Sequence, residues 1–371
     1  MKIRPVLVLS NHGEIVGGGE VSLLTLLKGL DRASWAPVVV VPSLGAVAAS
    51  CRALGLPTHV IPLPTLRRPG PTVLRSLVDL HRLIRSTGSR LLHANGSRAM
   101  FYAGLAGRLA HCRIIWHVRV KEQDPLLDRL LARLAHAVIV NSKAVGRRFA
   151  WVPAHKVHCI YNGLDIALFN ASEYLPPPRL SPGLPEGARV VGSIGRFVTY
   201  KGYQHLLEAA RMVREKLPDV HWVLVGDGEL RGELEQLCRH LGLEWTVHFT
   251  GWTDQVAEHL ALFDLFILPS LGESFGRVIL EAMAMQKAVV ATNTGGVPEI
   301  VLDGETGVLV PPADPAAMAG AVISLLDDPT RAATLGEAGR RRVASEFSLT
   351  HHVDATERLY ASLLDETSER M

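Results

Sequence analysis

The chain has 371 residues, 48% of them hydrophobic and 20% charged, which excludes a disordered polymer and exceeds what one ordinary core organises. Net charge is only +3, yet residues 1–170 hold 22 Lys and Arg against 8 Asp and Glu, while the remainder hold 17 against 28. A basic half joined to an acidic half implies a different partner for each, and the basic half lacks the aromatic platforms or reader motif that nucleic acid would require.

Residues 1–10 start basic, but the apolar run breaks at Asn11, His12 and Glu14, so it reads as a first strand rather than a secretory signal. Strand-like β-branched runs lie at 6–9, 37–41, 58–61, 90–93, 113–116 and 137–140. A second series lies at 190–194, 222–225, 247–249, 265–268, 288–291 and 307–310. Each run is followed by a helical stretch, the pattern of parallel sheets buried on both faces. The expected fold class is therefore α/β, with two doubly wound Rossmann-like domains facing across a cleft. Residues 1–170 form the first domain and 189–349 the second. Residues 171–188, with five prolines, form a linker, and 350–371 form a C-terminal helix packing back on the first domain. No apolar stretch approaches the roughly 20 residues that a bilayer span needs. Cys51, Cys112, Cys159 and Cys238 show no CxxC spacing and read as buried, reduced thiols of a cytoplasmic protein.

In doubly wound sheets, ligands sit beyond the carboxyl ends of the strands. After the first strand, ending at Ser10, Gly17-Gly18-Gly19-Glu20 opens a helix near Val21, where glycines let backbone N–H groups approach an anion. The spacing is neither a dinucleotide nor a P-loop fingerprint. His117 ends another strand, in Trp116-His117-Val118-Arg119. His93 and Asn95 end a third and read either as cleft-lining residues or as a structural turn. In the second half, Gly195-Arg196…Lys201-Gly202 places two cations at a strand end, a pair suited to clamping a diphosphate. Glu273-Ser274-Phe275-Gly276 then precedes a helix in which Glu281 lies about two turns in. There a carboxylate beside backbone donors can grip sugar hydroxyls, and Glu281 can accept from a ribose diol. Alone, each segment also reads as an ordinary surface loop or helix cap.

Taken in order, these segments resemble glycosyltransferase family 4. Glu273 and Glu281 reproduce the E-x7-E spacing of retaining glycosyltransferases. Gly17-Gly18-x-Glu20, Asn162-Gly163-Leu164-Asp165, Val225-Gly226-Asp227-Gly228, Gly295-Gly296-x-x-Glu299 and Asp303-Gly304-x-Thr306-Gly307 follow the family along nearly the whole chain. The resemblance implies the GT-B fold, with the acceptor mainly on the first domain and a nucleotide-sugar on the second. It implies that Arg196 and Lys201 hold the donor phosphates and Glu281 the ribose. Glu273 then holds the transferred sugar, together with the backbone of Ser274, Phe275 and Gly276. Gly17 and Gly18 approach the diphosphate, the loop near Gly251 touches the base, and His117 lies near the sugar. No metal or other cofactor is expected. The implied reaction is retaining transfer of a hexose-type sugar to a saccharide or lipid-linked acceptor, in polysaccharide, lipopolysaccharide or glycolipid biosynthesis. A sugar-nucleotide epimerase of the same fold, or a non-catalytic binding subunit, are the alternatives; the intact set Arg196, Lys201, Glu273 and Glu281 favours transfer. Two departures stand out: Gln286, Lys287 and Ala288 replace the family's usual Gly then Pro-Val, and Tyr161 replaces a usual Pro or Ile.

Arginines crowd the first domain at 67, 68, 75, 82, 85, 147 and 148. Arg75, Arg82 and Arg85 can share a helix flank with exposed Leu74, Leu77 and Ile84, which suits peripheral binding to an anionic membrane surface on its cytoplasmic side. The same arginines can equally solvate a helix and snorkel over apolar neighbours.

Overall fold

The structure is a computed structural model that describes residues 3–65, 70–120, 123–170, 174, 184–185 and 187–368. The expected linker 171–188 and the pair Arg67 and Arg68 lie almost wholly outside these residues. The chain divides into two units. The first runs to Gly163 and takes in the chain from Leu349; the second is Leu164–Ser348.

In the first unit, β1 (Arg4–Ser10), β2 (Trp35–Val41), β3 (Thr58–Val60), β4 (Leu91–Asn95), β5 (Arg113–Val118), β6 (Ala137–Val140) and β7 (Val157–Cys159) form one parallel sheet in the order β3-β2-β1-β4-β5-β6-β7. Strand β7 escapes the sequence pattern because Val157-His158-Cys159 has only one β-branched residue and sits at the sheet edge, half exposed. Alternation along β1 sends Val6 and Val8 to one helical layer, with Leu23, Leu26 and Leu27, and Leu7 and Leu9 to the other, with Leu80, Ile84 and Met100. Each such side chain, fully buried, contributes about 1.5–3 kcal/mol relative to exposure, which is why an unbroken Val/Leu run makes a central strand. The helix Leu349–Ser368 completes the first of these layers: Tyr360 packs edge-on against Trp35, ring centroids 5.2 Å apart.

In the second unit, β8 (Arg189–Ile194), β9 (Val220–Val225), β10 (Val247–Gly251), β11 (Leu265–Leu268), β12 (Ala288–Thr292) and β13 (Val308–Val310) form a parallel sheet ordered β10-β9-β8-β11-β12-β13. Trp222, Leu224, Leu265 and Ile267 meet Leu206, Leu207 and Ala210 on one face. Both units are doubly wound α/β sheets, and their strand order reverses at β1/β4 and β8/β11, the positions where such sheets open to ligands.

Three surface expectations are corrected. On the helix Pro71–Thr87, Ile84 is buried and Leu77 packs on the core, because they fall on the helix's inner stripe with Leu80. Leu74 and Val78 are the apolar residues it exposes, and Arg75 and Arg82 flank Asp79 as weak exposed ion pairs. Arg148 is not a surface charge: it is buried and its Nε donates to Asp128 Oδ2 at 2.7 Å. Cys159 is exposed, unlike Cys51, Cys112 and Cys238, whose thiols burial pushes up to about 11.

Candidate functional site

In the second unit the loops at the carboxyl ends of β8, β9 and β10 are bound to one another through the backbone. Gly195 N–H donates to Val225 O, Gly226 N–H to Gly251 O and Phe197 N–H to Asp227 O, all at 2.9 Å. Gly226, with φ 143°, lies so near this seam that an added Cβ would meet Gly195 O at 2.0 Å, so no other residue fits. Phe197 is buried, edge-on to Tyr203 and Phe249, and anchors the loop. Its neighbour Arg196 is left exposed, with Nη2 donating to Tyr200 Oη at 2.7 Å.

Lys201 closes the short turn Thr199–Lys201, and Gly202 follows in the left-handed conformation against Pro269 O at the end of β11. This close approach of backbones across the β8/β11 reversal delivers Lys201 to Glu273: Nζ lies 2.5 Å from Oε2, with both side chains 14% exposed. Ser270 Oγ also donates to that oxygen at 3.3 Å. The structure therefore brings Lys201 and Glu273 into one ion pair, while Arg196 is engaged elsewhere, with Tyr200.

Ser274, Phe275 and Gly276 lead into the helix Arg277–Ala284, with Gly276 as N-cap at φ 97° and Phe275 buried against Phe347. The helix starts at Arg277, so Glu281 lies about one turn inside it, not two. Glu281 Oε1 sits 3.2 Å from Arg277 Nε, a charge contact without hydrogen-bond geometry, since Arg277 Nε and Nη1 have no hydrogen-bond partner among the described residues. Burial raises the Glu281 carboxyl above its ordinary range, and Arg277 opposes that rise. Arg277 was not singled out from sequence; its i,i+4 spacing to Glu281 was the available signal.

In the first unit the helix Gly18–Gly29 begins three residues before the expected Val21. Glu20, in its first turn and buried, receives His12 Nδ1 at 2.9 Å and places negative charge at the helix N-terminus. A Cβ added to Gly17 or Gly18 would meet nothing within 4 Å. Beside this turn, Arg119 ties together the ends of the neighbouring elements. Its Nε donates to Asn95 Oδ1 at 2.7 Å and its Nη1 to Ser22 Oγ at 2.7 Å and to Asn162 Oδ1; its Nη2 is 3.3 Å from His117 Nδ1. Asn95, at the end of β4, thus belongs to this polar cluster. His93 lies behind His117, with Nε2 3.0 Å from His117 Nδ1 and Nδ1 2.6 Å from Tyr360 Oη. Burial holds both imidazoles neutral: His93 is pushed down to about 3, and His117 well below the usual histidine range, with Arg119 adding to each. Arg119 and Tyr360 were missed from sequence, because the hub's partners Ser22, Asn95 and Asn162, unlike His117, lie 24 to 97 residues away and Tyr360 reads as an ordinary apolar helix position.

The chain matches known families in both halves. The model described as "Glycosyltransferase Family 4" matches residues 16–168 and that described as "Glycosyl transferases group 1" matches residues 179–342. Alpha-maltose-1-phosphate synthase of Mycolicibacterium smegmatis is 31% identical, over 81% of this chain and 86% of its own. Alpha-D-kanosaminyltransferase of Streptomyces kanamyceticus is 30% identical, over 79% and 82%. Among solved structures, Anabaena HepE in complex with UDP and glucose superimposes with a TM-score of 0.82 at 26% identity, over 96% of this chain and 99% of its own. With two parallel α/β units of the GT-B type and these relatives, the chain belongs to the glycosyltransferases of family 4.

Proposed function

We propose that this glycosyltransferase moves a hexose-type sugar from a nucleoside diphosphate sugar to a hydroxyl acceptor, with retention of anomeric configuration. The observation that carries the reading is the Lys201–Glu273 pair at the β8/β11 reversal, where a doubly wound sheet takes its nucleotide. A cation for phosphate and a carboxylate for sugar hydroxyls stand side by side there, as the junction of a nucleotide-sugar requires. The UDP and glucose bound to HepE support the same donor chemistry.

In this reading Lys201 and Arg196 face the phosphates, and Glu273 with the Ser274, Phe275 and Gly276 backbone faces the transferred sugar. Glu281 binds the ribose, and Gly251, at the end of β10, borders the base. Gly17 and Gly18 open a helix N-terminus to an anion, and His117 serves the sugar. The acceptor hydroxyl attacks the face from which the phosphate departs and gives its proton to that phosphate. Lys201 and Arg196 stabilise the charge on the leaving group, on the order of 3 kcal/mol each. Side chains and backbone meet that charge, so turnover needs no metal.

The acceptor is a saccharide or a lipid-linked saccharide of envelope biosynthesis, reached from the cytoplasmic side. None of the described helices is long and apolar enough to cross a membrane. The basic first unit exposes Leu74 beside Arg75 and Leu126 beside Arg129, which suits peripheral contact with anionic lipid. The test is to incubate the purified protein with UDP-, GDP- and ADP-hexoses and follow nucleotide release and product anomer by NMR. Release from one donor with a retained anomer is expected; an inverted product or an epimerised donor would overturn the reading.

A further inference from the structure

The buried chain Tyr360–His93–His117–Arg119 has a direction that its two ends determine independently. At one end, the guanidinium of Arg119 carries only donors, and its Nη2 lies 3.3 Å from His117 Nδ1. An Nδ1–H there would set two donors against each other, so Nδ1 of His117 is the bare, accepting nitrogen. His93 Nε2, 3.0 Å from the same atom, must then carry the proton and donate it. That leaves His93 Nδ1 bare and accepting. At the other end, Tyr360 is fully buried and its Oη has His93 Nδ1, at 2.6 Å, as its hydrogen-bond partner among the described residues. A buried phenol that did not donate there would bury an unsatisfied O–H, which costs about 1–3 kcal/mol. Both ends require the same order: Tyr360 O–H to His93 Nδ1, then His93 Nε2–H to His117 Nδ1.

With Nδ1 accepting and the ring neutral, His117 carries its one proton on Nε2. That atom is buried and has no hydrogen-bond partner among the described residues. The ring of His352 has its centroid 6.5 Å from that of His117, and its Nδ1 lies 2.6 Å from Tyr161 O.

We propose that His93 and Tyr360 are positioning residues that hold His117 in the Nε2–H tautomer, so that His117 meets its ligand as a hydrogen-bond donor and not as a general base. The ligand atom it selects is an oxygen, either a sugar hydroxyl or a phosphoryl oxygen. Identifying that oxygen as part of a nucleotide-sugar rests on the function proposed above; the tautomer does not. The C-terminal helix, remote in sequence, thereby sets the polarity of a strand-end histidine through one phenol.

The test is long-range 1H–15N correlation of the full chain labelled on histidine nitrogens, recorded at neutral pH on the wild type, Tyr360→Phe and Leu359→Ala. In the wild type, His117 and His93 are both expected as Nε2–H tautomers. An Nδ1–H signal for His117 would overturn the proposal without any variant having to fold. Tyr360→Phe should bring Nδ1–H population into both rings and lower kcat/KM about tenfold, the worth of one misdirected hydrogen bond. Leu359→Ala, which truncates a buried apolar side chain on the same helix and keeps every hydrogen-bonding group of the relay, should lower thermal stability and leave the tautomers unchanged. An unaltered His117 tautomer in Tyr360→Phe would remove Tyr360 from the role. Adding UDP and then UDP-glucose separates the two oxygens: a shift of His117 Nε2–H with UDP alone marks phosphate, and one that needs the sugar marks a hydroxyl. Correct tautomers with no shift under any nucleotide-sugar would refute the ligand part and place the failure in the donor assignment.

Discussion

Lys201 Nζ and Glu273 Oε2 lie 2.5 Å apart and join the turn after β8 to the loop after β11. The pair is mostly shielded from water, so each charge stabilises the other where neither is fully hydrated. Lys201→Ala therefore has two separable effects. Loss of a charge-stabilising donor should lower kcat on the order of a hundredfold or more. Loss of Glu273's partner should lower stability by about 1–3 kcal/mol. The double variant Lys201→Met with Glu273→Gln should recover most of the stability and none of the turnover, checked by chemical denaturation alongside a donor-hydrolysis assay.

Gly18 and Gly295 predict opposite outcomes. Gly18 has open space around its Cα and stands in a helix, so Gly18→Ala should leave stability unchanged or raised by up to about 1 kcal/mol. Its turnover should nevertheless fall if the backbone there approaches an anion. Gly295, at φ 56°, would place a Cβ 1.7 Å from Glu273 O, so Gly295→Ala should destabilise the second unit outright. Thermal unfolding and activity of the two variants, side by side, check the contrast.

The buried imidazoles make stability fall in acid. Each has a folded pKa below the 6.5 of a free histidine, His93 near 3, so the unfolded chain binds protons first as pH drops. Their contribution is present above about pH 6.5 and is lost as pH falls from there toward the folded values, by up to about 1.4 kcal/mol per pH unit for each ring. His93→Gln should flatten that slope between pH 6 and 4, measured by denaturant titration at each pH. Arg119, His352 and Tyr360 face these rings and remain in that variant.

Chelation should leave turnover intact. Under the proposed reading, Lys201, Arg196 and helix-start backbone groups supply the positive potential that a divalent cation provides elsewhere. Activity after dialysis against EDTA is expected to match the untreated enzyme; activity restored only by added Mg2+ or Mn2+ would refute the phosphate assignment.

Membrane contact should depend on both halves of its chemistry. Wild-type protein is expected to co-sediment with vesicles containing anionic lipid at low salt and to be released at high salt. Leu74→Glu with Leu126→Glu, at two exposed apolar positions, should abolish sedimentation without changing thermal stability.

The two sheets were legible in the sequence because continuous Val/Ile/Leu runs admit few other structures. Strand β7 was not, since Val157-His158-Cys159 pairs at an edge where packing demands little. The motif order led to Lys201 and Glu273 as separate groups, and only the fold makes them one ion pair. Arg196 was legible only as a strand-end cation: that Phe197 anchors its loop and that its guanidinium donates to Tyr200 come from the fold. The histidine at the end of β5 was visible, but what directs it was not. Tyr360 lies 267 residues from His93, and no local pattern encodes that meeting.

The most direct measurement is calorimetric titration of UDP-, GDP- and ADP-hexoses into the wild type and Lys201→Ala, each paired with donor hydrolysis. One donor should bind the wild type and be slowly hydrolysed, and Lys201→Ala should bind it at least tenfold more weakly and hydrolyse it barely at all. Undiminished hydrolysis by a folded Lys201→Ala, or failure of the wild type to bind any of the three donors, would contradict the account.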